Sequence, residues 1–459
     1  MAFEGRNANI FPSYITNYEK WLYVQYMKYG SAEALMTQNS KMWSMLKGRM
    51  TRSRGGKNET CPILKGGTQA HSKNFKVAQA LSDKDAGQLS VDTWVGNRDA
   101  DYAVDRINHE EWISALSNFA TFKNKKKLKI DDCIRSLGVR KESEFWGLGQ
   151  NRVGKIKAIT AAEKSITVES PEQVLTLEAN GFLQFYGGAV LRKAANAGQT
   201  VGGEANCYEI DYPERTSVLN SPPKIFFKDS LPTDLAVGDY FYKAGDYGER
   251  SLASFQEWLP VAAPTSTPFF SINRTIEKER LSGFRQTLTA NQSVHQQIRR
   301  MTTEVLAFSN APFTGYFMNP FTENYLVNTI ENRNQITGNT TVQYMVDTSK
   351  PNAGTVANLG LGRLQFNTSA GQFPVYMNRF IPHGVIYGLN WDTVMVKYLA
   401  PKGEKMLDFV RDGGGNTLRL VDDKMSYETR FRIYCQMFLQ LPGSCFVIDC
   451  TAGMKNAGY

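Results

Sequence analysis

Over residues 153–243 the chain alternates apolar and polar side chains with a period of two. Six short runs (155–159, 165–169, 182–186, 207–212, 224–228 and 239–243) are separated by Gly, Pro, Asn and Asp, the residues that make turns. So many short strands at close spacing predict a compact β module, a small barrel or a sandwich. Helical spacing flanks the module on both sides, so the predicted fold class is α+β.

On the N-terminal side, Tyr14, Tyr18, Trp21, Leu22 and Tyr29 recur at helical spacing, with Thr16 and Glu19 as a capping box and Gly30 as the stop. The face is unusually aromatic for a terminal helix, which makes Tyr14, Tyr18 and Trp21 candidates for contact with another subunit. A second helical stretch holds Leu35, Met36, Met42, Trp43 and Leu46, and Trp43 joins the same candidate set. Residues 58–106 hold no long apolar run and read as an extended excursion, with strand-like pieces at Phe75-Lys76-Val77 and Leu89-Ser90-Val91. Asn108 and Glu111 can cap a helix bearing Trp112, Leu116 and Phe119. The lysine cluster at 123–129 is expected to be a solvated loop before another helix, with Ile130, Cys133, Ile134 and Leu137 inward.

Beyond the β module, Leu281, Phe284, Val294, Ile298, Met301 and Val305 set an apolar helical stripe, and 321–330 reads as a further helix. After residue 340 strands dominate, at 364–366, 375–378, 385–389 and 417–421. A long strand pair is expected within 427–448, around the turn Leu441-Pro442-Gly443-Ser444.

With 459 residues, 42% of them hydrophobic, the chain can bury more than one core, and no internal repeat points to a solenoid. It holds no apolar run of about 18 residues, so no membrane span is expected. Its opening residues are polar, so no secretory leader is expected either. The six cysteines show no C-x-x-C spacing and the four histidines are isolated, which leaves no metal-ligand pattern.

Catalytic motifs were weighed in turn. The string Gly149-Gln150-Asn151-Arg152-Val153-Gly154-Lys155 matches G-x-x-x-x-G-K, but Ile156 stands where a phosphate-binding loop needs Ser or Thr, and a strand pattern follows where it needs a helix. Gly360-Leu361-Gly362 lacks the third glycine of a dinucleotide fingerprint, and Asp131-Asp132 and Asp422-Asp423 read as solvated surface. No catalytic, cofactor-binding or metal-binding residue is therefore singled out, and the expectation is not an enzyme.

The charge balance is more informative. Of the net +9, five charges sit in the first 60 residues, where nine Lys and Arg meet four acids. Lys41, Lys47, Arg49, Arg52, Arg54 and Lys57 cluster there with Trp43 among them, a pattern suited to phosphate backbone or to an acidic patch on another subunit. No helix-turn-helix, zinc-finger or RNA-recognition signature accompanies it.

An ordered set of strings adds a resemblance. Phe75-Lys76-Val77 through Asp92 and Tyr102-Ala103-Val104 is followed by Leu177-Glu178-Ala179-Asn180-Gly181-Phe182 and Leu235-Ala236-Val237-Gly238-Asp239. Trp258-Leu259-Pro260, Ser271-Ile272-Asn273-Arg274-Thr275, Arg280-Leu281-Ser282-Gly283 and Phe317-Met318-Asn319-Pro320 come next, then Ile381-Pro382-His383-Gly384-Val385-Ile386-Tyr387-Gly388-Leu389 and the terminal strands. In this order the chain resembles the major capsid proteins of tailed double-stranded DNA bacteriophages.

The resemblance implies the Hong Kong 97-type capsid fold. It assigns an N-terminal arm to 1–57, an extended loop reaching over the neighbouring subunit to 58–107 and spine-side helices of a peripheral domain to 108–146. An inserted β module would occupy 147–248, a mainly axial domain 249–400, and strands returning to the peripheral domain 401–459. It also implies self-assembly into hexamers and pentamers of an icosahedral shell, built in the host cytoplasm around double-stranded DNA. A scaffolding protein, a portal and a possible cement protein would be partners, with no cofactor. The alternatives from the residues alone are a non-sequence-specific nucleic-acid-binding protein or a nucleotide-binding enzyme using Gly149 to Lys155.

Overall fold

The lysine cluster at 123–129 is helical rather than a solvated loop, and the helix expected to bear Trp112 and Leu116 lies outside the described residues. The computed structural model shows Phe119–Trp146 as one helix of 28 residues. Lysine is a good helix former, and Ile130, Ile134 and Leu137, spaced one turn apart, are buried on one face. The structure describes residues 21, 41–53, 55–56, 58–66, 71–83, 90–107, 119–193, 199–201, 204–215, 222–289, 292–309, 313–337, 365–368, 371–400, 406–410, 418–421 and 426–457. The helix expected at 13–29 lies outside them except for Trp21.

The chain divides into two units. One comprises Met1–Glu59, Asn97–Ser143 and Val396–Gln436, and the other Thr60–Gly96, Glu144–Met395 and Met437–Tyr459. In the first unit the strand Ser426–Leu439 is the hub of a six-stranded sheet. Asp99–Ile107 runs antiparallel to it, with Cys435 opposite Asp99 and Tyr427 opposite Ile107. Leu407–Phe409 and Leu418–Val421 also pair with it antiparallel. Met50–Arg52 joins in parallel beside Val394–Tyr398, so this segment is fixed by a ladder. Met42, Trp43 and Leu46 of the short helix Lys41–Leu46 are buried, as are Phe431 and Ile433.

In the second unit the β module closes on itself. Phe182–Gly187, Tyr240–Lys243, Gly154–Thr160, Ser165–Val168, Lys224–Phe227 and Glu204–Pro213 are hydrogen-bonded in that order, and Glu204–Pro213 pairs back onto Phe182–Gly187. The result is a six-stranded barrel, which decides between the two expectations. Ile156, Ile166, Leu183, Phe185, Tyr208, Ile225 and Phe241 are among the side chains that fill it. Closure leaves no open edge among these six strands.

The rest of this unit is a mixed six-stranded sheet in the order Phe284–Thr287, Phe446–Asp449, Val385–Leu389, Gly315–Met318, Gly371–Met377, Gln365–Thr368. Helix Val294–Ser309 buries Val294, Ile298, Met301 and Val305, one stripe at i, i+4, i+7 and i+11, in a core shared with Tyr316, Ile386 and Phe446. Phe284, expected to be helical, opens a strand instead, because Gly283 with φ +71° ends the helix Lys278–Ser282 just before it.

The strands on either side of Leu441-Pro442-Gly443-Ser444 do not pair with each other. Phe446–Asp449 runs between Val385–Leu389 and Phe284–Thr287, while Ser426–Leu439 belongs to the other sheet. The 3-10 turn Pro442–Ser444 redirects the chain rather than folding it back.

Asn58–Gly66 and Ser90–Asn97 form a two-stranded ribbon, as an extended excursion requires. Within it Phe75–Ser82, which reads as strand-like in sequence, is a helix: the Asn74 side chain caps it by accepting the Lys76 N–H, and Ala78, Gln79, Ala80 and Leu81 favour helix. Among the described residues no helix is long and apolar enough to cross a membrane.

Candidate functional site

Tyr14, Tyr18, Arg54 and Lys57 lie outside the described residues. Trp21 is half-buried. Trp43 is fully buried, and its indole N–H donates to the Gly138 carbonyl at 3.3 Å, so this ring packs within its own chain and is not presented to a partner. Lys41 begins the helix Lys41–Leu46 and Lys47 the 3-10 turn Lys47–Arg49. Arg49 and Arg52 are exposed; the Arg52 guanidinium donates to the Ala400 carbonyl at 2.8 Å, which aims it along the strand Val394–Tyr398.

The best-built polar feature of the first unit lies on the strand Asp99–Ile107. Its side chains alternate, so Asp99, Asp101 and Asp105 share one face while Tyr102, Val104 and Arg106 share the other. Against the acidic face stands Lys141 of the long helix, with no exposed side-chain surface. Its ammonium contacts Asp99 and lies 2.6 Å from Asp101. Arg140 lies 3.0 Å from Asp101. About four turns earlier in the helix, within the lysine cluster, Lys126 is also buried, donating to the Arg106 carbonyl at 3.0 Å with Asp105 at 3.9 Å.

These buried charges pair the long helix with the strand Asp99–Ile107, and removing one partner would leave a desolvated charge behind. Sequence reading missed them. The available signal was the two-residue spacing of aspartates in a strand pattern, set against lysines embedded in an apolar helical stripe.

The opposite face of the same strand is outward. Tyr102 is 60% and Val104 49% exposed, and the Tyr102 and Tyr434 hydroxyls are 2.9 Å apart. On the ribbon, Phe75 is 82% and Val77 48% exposed, and the helix that carries them buries none of its residues. Ile276 and Phe308 in the second unit are likewise open. Large apolar side chains are thus displayed on several separate surfaces.

The Gly149 to Lys155 string forms no phosphate cradle. Gly149, Gln150 and Asn151 all have left-handed backbone (φ +75°, +54° and +58°), and the chain passes directly into the strand Gly154–Thr160. The Lys155 ammonium lies 3.6 Å from Glu169, and a Cβ at Gly149 would collide with the Glu257 side chain. The string is the entry bend of the barrel.

Perturbed groups gather around this entry and on the sheet. Burial pushes Glu257 up to about 7, against the pull of Arg152 and Arg274, while its carboxylate accepts the Ser254 N–H in a capping box. Burial also raises Glu172 to about 7, although it accepts from the Ser170 hydroxyl and the His383 backbone. His383 is pushed down to about 4 by burial, and its ring stacks on Phe321 at 5.2 Å. Glu257 and Glu172 are held by caps and backbone donors, the arrangement of structural carboxyls.

No protein-family model matches the chain, and no curated protein matches it. Among solved structures it is similar to the cyanophage A-1(L) capsid asymmetric unit, with 11% identity over 90% of this chain and 92% of that one and a TM-score of 0.44. It is also similar to the capsid of a native GTA particle, at 10% identity over 88% and 89% of the two chains and a TM-score of 0.39. Gordonia phage Cozz gives 11% identity over 87% and 84% and a TM-score of 0.37.

Proposed function

We propose that this chain is the major capsid protein of a tailed double-stranded DNA bacteriophage, a structural subunit that assembles into hexamers and pentamers of an icosahedral head. The observation that carries the reading is the order of elements along the chain. An extended two-stranded ribbon precedes a 28-residue helix; after the barrel and five of the six strands of the mixed sheet, the strand Ser426–Leu439 returns to pair with Asp99–Ile107. This is the order that the sequence resemblance implies.

In this reading residues 1–57 are the arm, 58–107 the extended loop, and the long helix with the Ser426–Leu439 sheet the peripheral domain. The mixed sheet would be the axial domain and 147–248 an insertion. Arm and loop would each cross to a neighbour, so that a subunit leaves the shell only by releasing several contacts at once. Arg49 and Arg52 would meet packaged DNA or an acidic patch of another subunit. Scaffolding protein, portal and a cement protein would be its partners, and the virion capsid its place, after assembly in the host cytoplasm. The role is mechanical, with no turnover.

Electron microscopy of the purified full-length chain, with and without candidate scaffolding proteins, tests this. Closed shells are expected, and a chain that stays monomeric under all assembly conditions would overturn the proposal. Removing residues 1–57 is expected to leave a folded chain that assembles poorly.

A further inference from the structure

Two features of the second unit are each incomplete alone. On the helix Phe75–Ser82, successive residues lie 100° apart, so Phe75, Val77, Ala78 and Leu81 fall within one half of the circumference. Phe75 and Val77 are open to solvent, and a helix this short is not self-sustaining in water. Its first turn carries no acid. Lys76 stands in that turn and Lys73 just before the cap Asn74, so their charges add to the positive end of the helix dipole and favour carboxylates nearby.

The second feature is a groove of about 890 Å³ bounded by residues 275–280, the end of Val294–Ser309 and the turn at Leu441 and Gly443. Its floor is apolar: Ile276 is 72% and Phe308 77% exposed, and Phe284 stacks on Phe308 with ring centres 5.7 Å apart. Among its charged lining residues, Glu277 pairs with Arg280 at 3.2 Å and Glu304 with Arg300 at 2.9 Å, both exposed pairs worth little in water, and Glu279 is the lining carboxylate with no ion pair among the described residues. An eight-residue helix about 12 Å long and 10–12 Å wide displaces roughly 570 Å³ when half immersed. The groove therefore has room for one face of such a helix, side chains included.

We propose that this groove seats the helix Phe75–Ser82 of a second copy of the chain. Phe75 and Val77 lie against Phe308 and Ile276, and Lys73 and Lys76 face the glutamates of the groove. The inference rests on the reading of the chain as a shell subunit and names the surface of the neighbour that receives the ribbon's helix.

The test pairs a tagged Phe75→Cys chain with an untagged Phe308→Cys chain, co-expressed at full length and mildly oxidised. The native cysteines give little background, since five are buried and Cys133 is half-buried. A disulfide-linked pair containing both chains is expected, at least tenfold above either variant expressed alone. In parallel, Phe75→Asp and Phe308→Asp, checked for folding by circular dichroism, are each expected to lower shell yield at least tenfold. Shells that form without the cross-link overturn the docking and leave the capsid reading standing. Cross-linked pairs without shells support the docking and overturn the capsid reading. No association of any kind overturns both.

Discussion

Replacing Lys141 by Met tests whether buried ion pairs hold the first unit together. The Lys141 side chain has no exposed surface, and Asp99 and Asp101 around it are 3% and 5% exposed. Methionine keeps the length of the side chain but removes the ammonium that both Asp99 and Asp101 contact, while Arg140 stays 3.0 Å from Asp101. Breaking one partner out of a buried pair costs about 3–5 kcal/mol, because the remaining charge stays desolvated. At about 1.4 kcal/mol per decade, the opening equilibrium of this unit should rise by roughly two to three and a half orders of magnitude.

Hydrogen exchange on the soluble, unassembled chain reads this directly. Amides of Phe119–Trp146 and Asp99–Ile107 should lose protection by that factor, while those of Val385–Leu389, in the other unit, should not change. The double variant Asp99→Asn/Lys141→Met removes the stranded charge and should recover at least half of the loss. Protection of the long helix within threefold of wild type in Lys141→Met, or a double variant worse than the single, would refute the reasoning.

Two further outcomes follow from the second unit. Glu257 titrates near 7 when folded, above its unfolded value, so the folded state holds its proton longer and stability falls as pH rises from about 4.5 to 7, by about 3 kcal/mol in all. Glu257→Gln should flatten that slope in denaturant titrations, leaving Glu172, also raised to about 7 by burial, to contribute in the same direction. His383, lowered to about 4, acts oppositely: its contribution is lost as pH falls from about 6.5 to 4, so a variant slope equal to wild type above pH 6.5 would sink the Glu257 assignment. Gly384 has φ +80°, and a Cβ there would stand 2.6–2.9 Å from Thr451 Oγ1, Cα and N. Gly384→Ala should therefore cost about 1–3 kcal/mol and expose the helix Thr451–Asn456 to limited proteolysis, with an unchanged cleavage pattern counting against it.

What could be read from the sequence follows from where the decisive interactions lie. The barrel strands were legible because their alternation and turns are local, and the Val294–Ser309 stripe because each of its residues meets the core through the same face. The lysine cluster reads as a loop because lysine runs resemble solvated surface unless a partner surface is known; Lys126 and Lys141 are buried where Asp105 and Asp99, well separated from them in sequence, lie opposite. The strand pair expected around Leu441-Pro442-Gly443-Ser444 failed for the same reason. Turn residues fix a change of direction, but the partner of Phe446–Asp449 was chosen by Val385–Leu389, more than 50 residues away in sequence.

The candidate surface shows a sharper limit. Trp43 and Phe75 are both large aromatic residues in polar surroundings of sequence, yet one is enclosed by the helix that passes Gly138 and the other stands open at the ribbon. Burial within a chain depends on what the fold brings opposite, and burial between chains depends on what it leaves uncovered. On the proposed reading of the chain as a shell subunit, the residues to test as neighbour contacts are those whose apolar surface stays exposed in the fold, and Phe75, Ile276 and Phe308 meet that condition where Trp43 does not.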